Sequence, residues 1–553
     1  MASQGLKIGP DGYFSRGGAR FVPVGANYWP GSCGVEMWQR WPADEIRRDL
    51  DLLIRHGFNA IRFFLRWQDF EPSPGLYDDG SFLRFAELLK WCGERDLFSQ
   101  PTFFTPFSGS ALNGPEWRQG RNYFTDDFII QRAVDFAFAA ARVAAPYGAK
   151  LLAIDIGHQL CRLPDSQTAA PLSIKTWLHN VTAAVRGAFP GVLLVVGNGP
   201  EQLSQDTGWR LGEPAGTDFY AMHGSTLPSA HPVEFDGLTD PLGHSLIPLN
   251  IEMTRSFGPV MLQDLAVHPA FGHKQRDDWL RAVLPSCWNA GANGFLWHLL
   301  RDVPAECAGH TSYGSISPAG LLDAEENIKR GLEYFQEFAH AVPDLPRPRV
   351  SSHYIGLYIP RHYYPRDNPS AAGNDPGSVL RALSTANYHL RDAGHEVHIV
   401  RGDRPINPRT KTIFITGASL TLDEVMPLTA WVQAGGKLIW HGPDVLNWGE
   451  AYQKLLGALP IDFRLARDAV IAFGGGEWKI GHYPMNIRAE LQLMGATVLA
   501  IDDGGLPAVL RNKLGKGTVT YAIANIEGAI AGGGMPRVDR DRCTKWYQAM
   551  LKD

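Results

Sequence analysis

Residues 20–67 read RFVPVGANYWPGSCGVEMWQRWPADEIRRDLDLLIRHGFNAIRFFLRW. The first ten predict a strand that ends in polar and aromatic side chains. ADEIRRDLDLLIRHG (43–57) carries apolar residues at helical spacing and closes on Gly57, a common helix stop. NAIRFFLRW (59–67) is a second strand candidate. The alternation continues with a helix over FLRFAELLKWCGERD (82–96), a strand in FSQPTFFTPF (98–107) and a long helix over 126–148. KLLAIDIGH (150–158) is the fourth strand candidate. After a helix over 171–190 come VLLVVGNG, DFYAMHG, GPVMLQDL and GFLWHLL, which complete eight strand candidates. Strand-then-helix repetition argues for a parallel sheet, and eight units argue for a closed (β/α)8 TIM barrel. Functional side chains are then expected at the carboxyl ends of the strands.

A chain of 553 residues is too long for one ordinary core. HAVPDLPRPRVSSHY (340–354) is Pro-rich and reads as a linker. Beyond it YIGLYIP, HEVHIV, KTIFITG and KLIWHGP alternate with helical stretches, the pattern of a smaller doubly wound α/β unit. From about residue 460 period-two stretches such as TVLAIDD and GTVTYAIAN suggest a small β-rich piece. The expected domains are therefore 1–343, 350–460 and 461–553.

Charged residues make up 20% and the hydrophobic set 44%, which is ordinary globular usage. A net charge of −5 without a basic stripe argues against a nucleic-acid partner. No apolar run has the length of a membrane span, and no secretory signal stands at the start. The six Cys are scattered, without C-x-x-C pairs or His at metal spacing. They read as reduced thiols of a cytoplasmic protein, with no metal and no cofactor expected.

Two strand ends hold the residues of interest. On the fourth, Asp155, Gly157 and Gln159 share a face. Asp155 lies deeper and suits a hydrogen-bonded structural role. On the seventh, Val260, Leu262 and Asp264 alternate with Met261, Gln263 and Leu265. Both faces of a barrel strand are buried, so the period leaves open whether Asp264 or Gln263 looks inward.

These segments resemble a family 5 glycoside hydrolase, in the mannanase and cellulase-like branch of the clan A barrels. VGANYW resembles the first strand of that family, and WQDFEPSPG the segment after its second. QPTFFTPFSG resembles its third strand, with Pro106 at a His-like position, and KRGLEYFQEFA its closing helix. The resemblance implies that Arg62 orients the nucleophile carboxylate, that His223 ends a later strand, and that Trp297 floors the sugar subsite. It assigns Asn27, Tyr28, His158 and Gln263 to substrate binding. The second domain resembles the trimerisation domain of family 42 β-galactosidases, an amidotransferase-like fold. None of the six Cys falls within 350–460, so scaffolding and dimer or trimer contacts are expected there.

The resemblance implies a retaining-type β-glycosidase acting on small oligosaccharides or glycosides, with two carboxyls about 5 Å apart. Both catalytic positions depart from the family. Asn-Glu becomes His158-Gln159, and an amide has no proton to give at neutral pH. Glu-Glu-Phe-Gly becomes Gln263-Asp264-Leu265-Ala266, which puts Asp264 at the nucleophile position with a reach about 1.5 Å shorter than Glu. Three explanations stay open for Gln159: an engineered Glu→Gln change, a natural chemistry in which His158 donates the proton, or a carbohydrate-binding barrel that has lost catalysis.

Overall fold

The computed structural model describes residues 5–552 apart from 109–110, 113, 213–215, 226–240, 268–271, 305–318, 365–374, 443–448, 466–467, 482–486, 524–525 and 528–536. The chain forms two compact units, one within residues 1–348 and one made mainly of 349–553.

In the first unit eight strands run parallel: β1 (Val24–Tyr28), β2 (Ala60–Phe64), β3 (Phe98–Phe104), β4 (Ile154–His158), β5 (Leu194–Gly197), β6 (Tyr220–Ser225), β7 (Val260–Ala266) and β8 (Ala292–Trp297). They pair in the order β5-β4-β3-β2-β1-β8-β7-β6. Backbone bonds Asp218 N to Leu194 O (2.8 Å) and His223 N to Asn198 O (3.2 Å) bring β6 back to β5 and close the barrel. Helices α1 (Ala43–Arg55), α2 (Asp79–Glu94), α3 (Asp127–Ala144), α4 (Pro171–Ala188), α5 (Pro241–Arg255), α6 (His273–Asn289) and α7 (Glu333–Ala341) belong to the surrounding layer. Their starts are written in the sequence: the Asp78 side chain accepts from Ser81 N at 2.6 Å, and Asp126 accepts from Ile129 N at 3.1 Å.

The floor of the barrel is apolar. Ala60, Phe98, Ala153, Val195, Ala221, Met261 and Leu296, one from each of seven strands or their entries, pack with Leu6 and Phe14 of the N-terminal segment. Side chains alternate along a strand, so the next inward layer toward the carboxyl ends is Arg62, Gln100, Asp155, Gly197, His223, Gln263 and His298. That layer is polar apart from Gly197. A period-two step from a plugged floor thus delivers the functional groups to the mouth.

The second unit begins with β9 (Ile355–Ile359), α8 (Pro376–Asp392), β10 (Val397–Arg401), β11 (Thr412–Thr416), α9 (Leu422–Gln433) and β12 (Lys437–His441). The strands are parallel, in the order β10-β9-β11-β12. A reciprocal capping box between Thr421 and Glu424 opens α9. The expected boundary at 460/461 does not divide this unit. Gly517–Ala522 lies parallel to β12, with Lys437 opposite Thr518 and His441 opposite Ala522. Pro507–Leu514 and Thr497–Ile501 then extend the same sheet antiparallel. Period two located these strands, but it carries no record of which sheet edge a strand will join. The hairpin Asp468–Phe473 with Gly476–Gly481, and the pair Ala458–Leu465 with Ile487–Leu493, make up the β-rich remainder. Among the described residues no helix is long and apolar enough to cross a membrane.

Candidate active site

Arg62 is the hub of the polar layer. Its Nε and Nη2 donate to Asp155 Oδ2 at 2.9 and 2.6 Å, and its Nη1 donates to Asp264 Oδ1 at 2.8 Å. Asp155 also accepts from Thr102 Oγ1 and from Gly197 N, each at 2.9 Å. Buried ion pairs hold only where such extra hydrogen bonds satisfy them. Burial pushes the Asp155 carboxyl up, with Arg62 and Thr102 opposing it. Gly197 makes the room, since a Cβ there would stand 2.5 Å from Arg62 Nη2. Asp155 is thus part of the support beneath the mouth.

Gln159 and Asp264 both have left-handed backbones, with φ of 53° and 50°. L-residues adopt that region at a cost, and one such residue ends the alternation of a strand. The ladders of β4 with β5 and of β7 with β8 shift register near these ends. This is how Asp264, one residue beyond the inward-phased Gln263, still reaches Arg62. Its Oδ1 also accepts from Asn27 Nδ2, and its Oδ2 lies 3.3 Å from His223 Nδ1 and 3.6 Å from His158 Nδ1. Burial raises the Asp264 pKa, but His223, His158 and the permanently charged Arg62 outweigh it and hold the carboxyl well below the usual range. Asp264 is therefore ionised and oriented.

The histidines are neutral at pH 7. Burial pushes His158 well down and His223 to about 4. Arg62 Nη2 lies 3.2 Å from His158 Nδ1, and a guanidinium can only donate. His158 is therefore the Nε2–H tautomer. Its ring stacks on His223 at 5.3 Å and meets the Phe64 ring edge-on. Gln159 Nε2 stands 3.4 Å from His223 Nδ1, and Gln159 Oε1 accepts from Arg162 Nη1 at 3.1 Å.

Several buried polar atoms here have no partner among the described residues: Asn27 Oδ1, Asn198 Oδ1, His223 Nε2, His298 Nδ1 and both amide atoms of Gln263. Orphaned buried groups are uncommon because each costs about 1–3 kcal/mol. Their mixture of donors and acceptors suits a ligand rich in hydroxyls. His158, His223 and Asp264 also bring ligand atoms within 4.8 Å of one another. No sequence spacing signals that set, because it comes from three different strands. Arg62 already donates to two of its members, which disfavours a cation there.

No family model and no curated protein matches the chain. Among solved structures, the exo-β-1,4-mannosidase Op5Man5 from Opitutaceae bacterium strain TAV5 is 40% identical, with a TM-score of 0.94 over 99% of this chain and 100% of that one. The chain belongs to glycoside hydrolase family 5.

The fold is shared with more distant structures. GH5_18 from Streptomyces cattleya, solved with Manβ1-4GlcNAc, is 18% identical with a TM-score of 0.61 over 71% of this chain and 99% of that one. The GH42 β-galactosidase Gan42B from G. stearothermophilus is 12% identical with a TM-score of 0.62 over 96% of this chain and 88% of that one.

In this family 5 barrel Asn27, Arg62, His158, Gln159, His223 and Asp264 converge, with Gln263 next to them in sequence. Tyr28 and Trp297, expected at the sugar, do not join them. Tyr28 Oη donates to Asp49 on α1 at 3.0 Å. Trp297 is fully buried, with Nε1 donating to Ala319 O at 3.0 Å and its ring 5.3 Å from Phe335 on α7. Each is one residue out of phase with the inward layer, so it faces the helices. His298 holds the inward phase on that strand end. Counting by two from Leu296 along GFLWHLL finds it; the prominence of an aromatic residue points to its neighbour instead.

Proposed function

We propose that this chain is a retaining β-mannosidase that removes terminal residues from short β-1,4-linked mannosides. Asp264 is the nucleophile, Gln159 occupies the acid/base position, Arg62 and Asn27 orient Asp264, and His158, His223 and Gln263 bind hydroxyls. The observation that carries this reading is the joint approach of the Gln159 amide and an ionised Asp264 to one atom, His223 Nδ1. His223 Nδ1 lies 3.4 Å from Gln159 Nε2 and 3.3 Å from Asp264 Oδ2, so the two groups flank one ring. The sugar assignment is supported by the exo-β-1,4-mannosidase that is 40% identical over nearly the whole chain.

The test uses dinitrophenyl β-mannoside, whose leaving group needs no proton, and mannobiose, whose leaving group does. The wild type should hydrolyse the first, and Gln159→Glu should retain that activity, since an activated leaving group asks no proton of this position. Inertness of both proteins toward both substrates would remove the glycosidase reading.

The amide at Gln159 also favours a second reading, a carbohydrate-binding barrel without turnover. Calorimetric binding of mannobiose that persists without hydrolysis, even in Gln159→Glu, would establish it.

The second unit is a scaffold for self-association in this reading. Its strand Ala458–Leu465 exposes Ile461, Phe463 and Leu465, and Thr497–Ile501 exposes Leu499 and Ile501, apolar side chains of the kind found at protein contacts. Light scattering that gives a clean monomer would count against it. Cys92, Cys161 and Cys287, buried and outside any disulfide, support a cytoplasmic setting.

A further inference from the structure

An amide at Gln159 leaves the glycosidic oxygen without an acid on β4, yet a carboxyl stands close by. Glu201 opens the short helix Glu201–Ser204, which follows β5 after Asn198-Gly199-Pro200. Its carboxyl folds back over Gly199: a Cβ built on that glycine would lie 2.5 Å from Glu201 Oε2 and 3.6 Å from His223 Cβ. Arg162 links it to the vacated position. The same guanidinium donates from Nη1 to Gln159 Oε1 at 3.1 Å and brings Nε to 3.9 Å from Glu201 Oε1. The Glu201 side chain is 18% exposed, so it is mostly screened from water and still open at one side.

We propose that Glu201 is the proton donor to the leaving group, a catalytic residue supplied from β5 in place of the one missing on β4. The assignment rests on the glycosidase reading above. In the first step an Asp264 oxygen bonds to the anomeric carbon. The bond from that carbon to the aglycone oxygen breaks with its electron pair going to the oxygen, which takes the Glu201 proton and leaves as an alcohol. Glu201 is then a carboxylate, and Arg162 stabilises the charge. In the second step Glu201 takes a proton from water while the water oxygen bonds to the anomeric carbon and displaces Asp264. Both residues return to their starting protonation states.

The surroundings suit that cycle. Burial raises the Glu201 pKa and Arg162 lowers it, with a net upward shift. A general acid gains from a pKa moved toward neutrality. Besides Arg162, the titratable groups near Glu201 among the described residues are Cys161, which feels its charge, and His223, whose Cβ borders the same glycine. Both are neutral at pH 7, since burial holds the Cys161 thiol well above its ordinary value and the His223 ring at about 4.

The experiment compares the wild type with Glu201→Gln and Glu201→Ala on dinitrophenyl β-mannoside and on mannobiose. Loss of the proton donor should cut kcat/KM on mannobiose by about 10²-fold or more. The loss on the dinitrophenyl glycoside should be far smaller. The basic limb of the mannobiose pH profile should disappear. Azide should accelerate Glu201→Ala on the activated glycoside and yield mannosyl azide. Equal losses on both substrates without azide rescue would show a structural role and overturn the assignment. Unchanged mannobiose turnover in Glu201→Gln would also overturn it while leaving the glycosidase reading intact. Inertness of the wild type and of Gln159→Glu toward both substrates would overturn both.

Discussion

The Gln159 amide and the Asp264 carboxylate meet on a single atom: His223 Nδ1 lies 3.4 Å from Gln159 Nε2 and 3.3 Å from Asp264 Oδ2. Strands β4 and β7 supply the two outer groups and β6 the ring between them. An ionised acid and an uncharged amide thus flank one imidazole. Attack at carbon can come from the β7 side, while the β4 side can only hydrogen-bond.

Asp264 should be the point of covalent attachment. Asp264→Asn is expected to lower kcat on an activated mannoside by on the order of 10³-fold or more, with a smaller change in KM. Asp264→Glu restores the missing methylene, and kcat should rise if reach limits the attack. Mass spectrometry after a fluorinated mannosyl donor should place the sugar on the peptide containing residue 264.

Arg62 neutralises two buried carboxylates, Asp155 and Asp264. Arg62→Met should destabilise the fold by about 3–5 kcal/mol, because it leaves those charges unpaired. Adding Asp155→Asn should recover part of that loss, giving a non-additive cycle in urea unfolding.

Trp297 and His298 should separate cleanly. Trp297→Ala removes a fully buried ring and should cost about 3–5 kcal/mol of stability, with the substrate KM of the folded protein little changed. His298→Ala should raise KM with a smaller effect on melting. A large KM effect from Trp297 alone would return it to the sugar site.

Acid should weaken the protein through its buried imidazoles. His223 titrates near 4 when folded, well below its ordinary value, so between about pH 4 and 6.5 the unfolded chain binds more protons than the folded one. Stability therefore falls as pH drops through that window, by on the order of 3 kcal/mol for this group. Asp49 acts in the opposite sense, since burial raises it to about 6 and acidification relieves its buried charge. Melting curves of the wild type and of His223→Phe across the window should show a shallower slope for the variant.

The exposed apolar side chains of the second unit should report on assembly. Leu465 is 85% exposed on a strand that pairs with Ile487–Leu493. Leu465→Arg should shift the molecule toward monomer in light scattering while leaving the melting temperature nearly unchanged.

The barrel was legible in the sequence because each strand–helix pair carries its own local signals, from Gly57 at a helix end to Asp78 and Asp126 at helix starts. Arg62, Asn27, His158, His223 and Asp264 were legible through the resemblance. Periodicity was silent on Asp264, because φ at that residue is a property of the folded strand end. Trp297 and Tyr28 were misplaced by one residue, the smallest register error and enough to turn a side chain to the opposite face. Glu201 follows an unremarkable Gly-Pro, and only the bend over Gly199 brings it to the mouth. The common sheet of the second unit was illegible for a different reason: strand pairing across seventy or more residues leaves no local trace.

The position of Gly517–Ala522 beside β12 has a consequence for biosynthesis. When β12 leaves the ribosome, its outer edge still lacks a neighbour, and about eighty more residues must be made before one arrives. A nascent chain paused there displays a bare, hydrogen-bond-hungry rim, the kind of edge on which chains stick to one another. Truncation after residue 460 would make that transient hazard permanent, so the last hundred residues act as a built-in guard against aggregation.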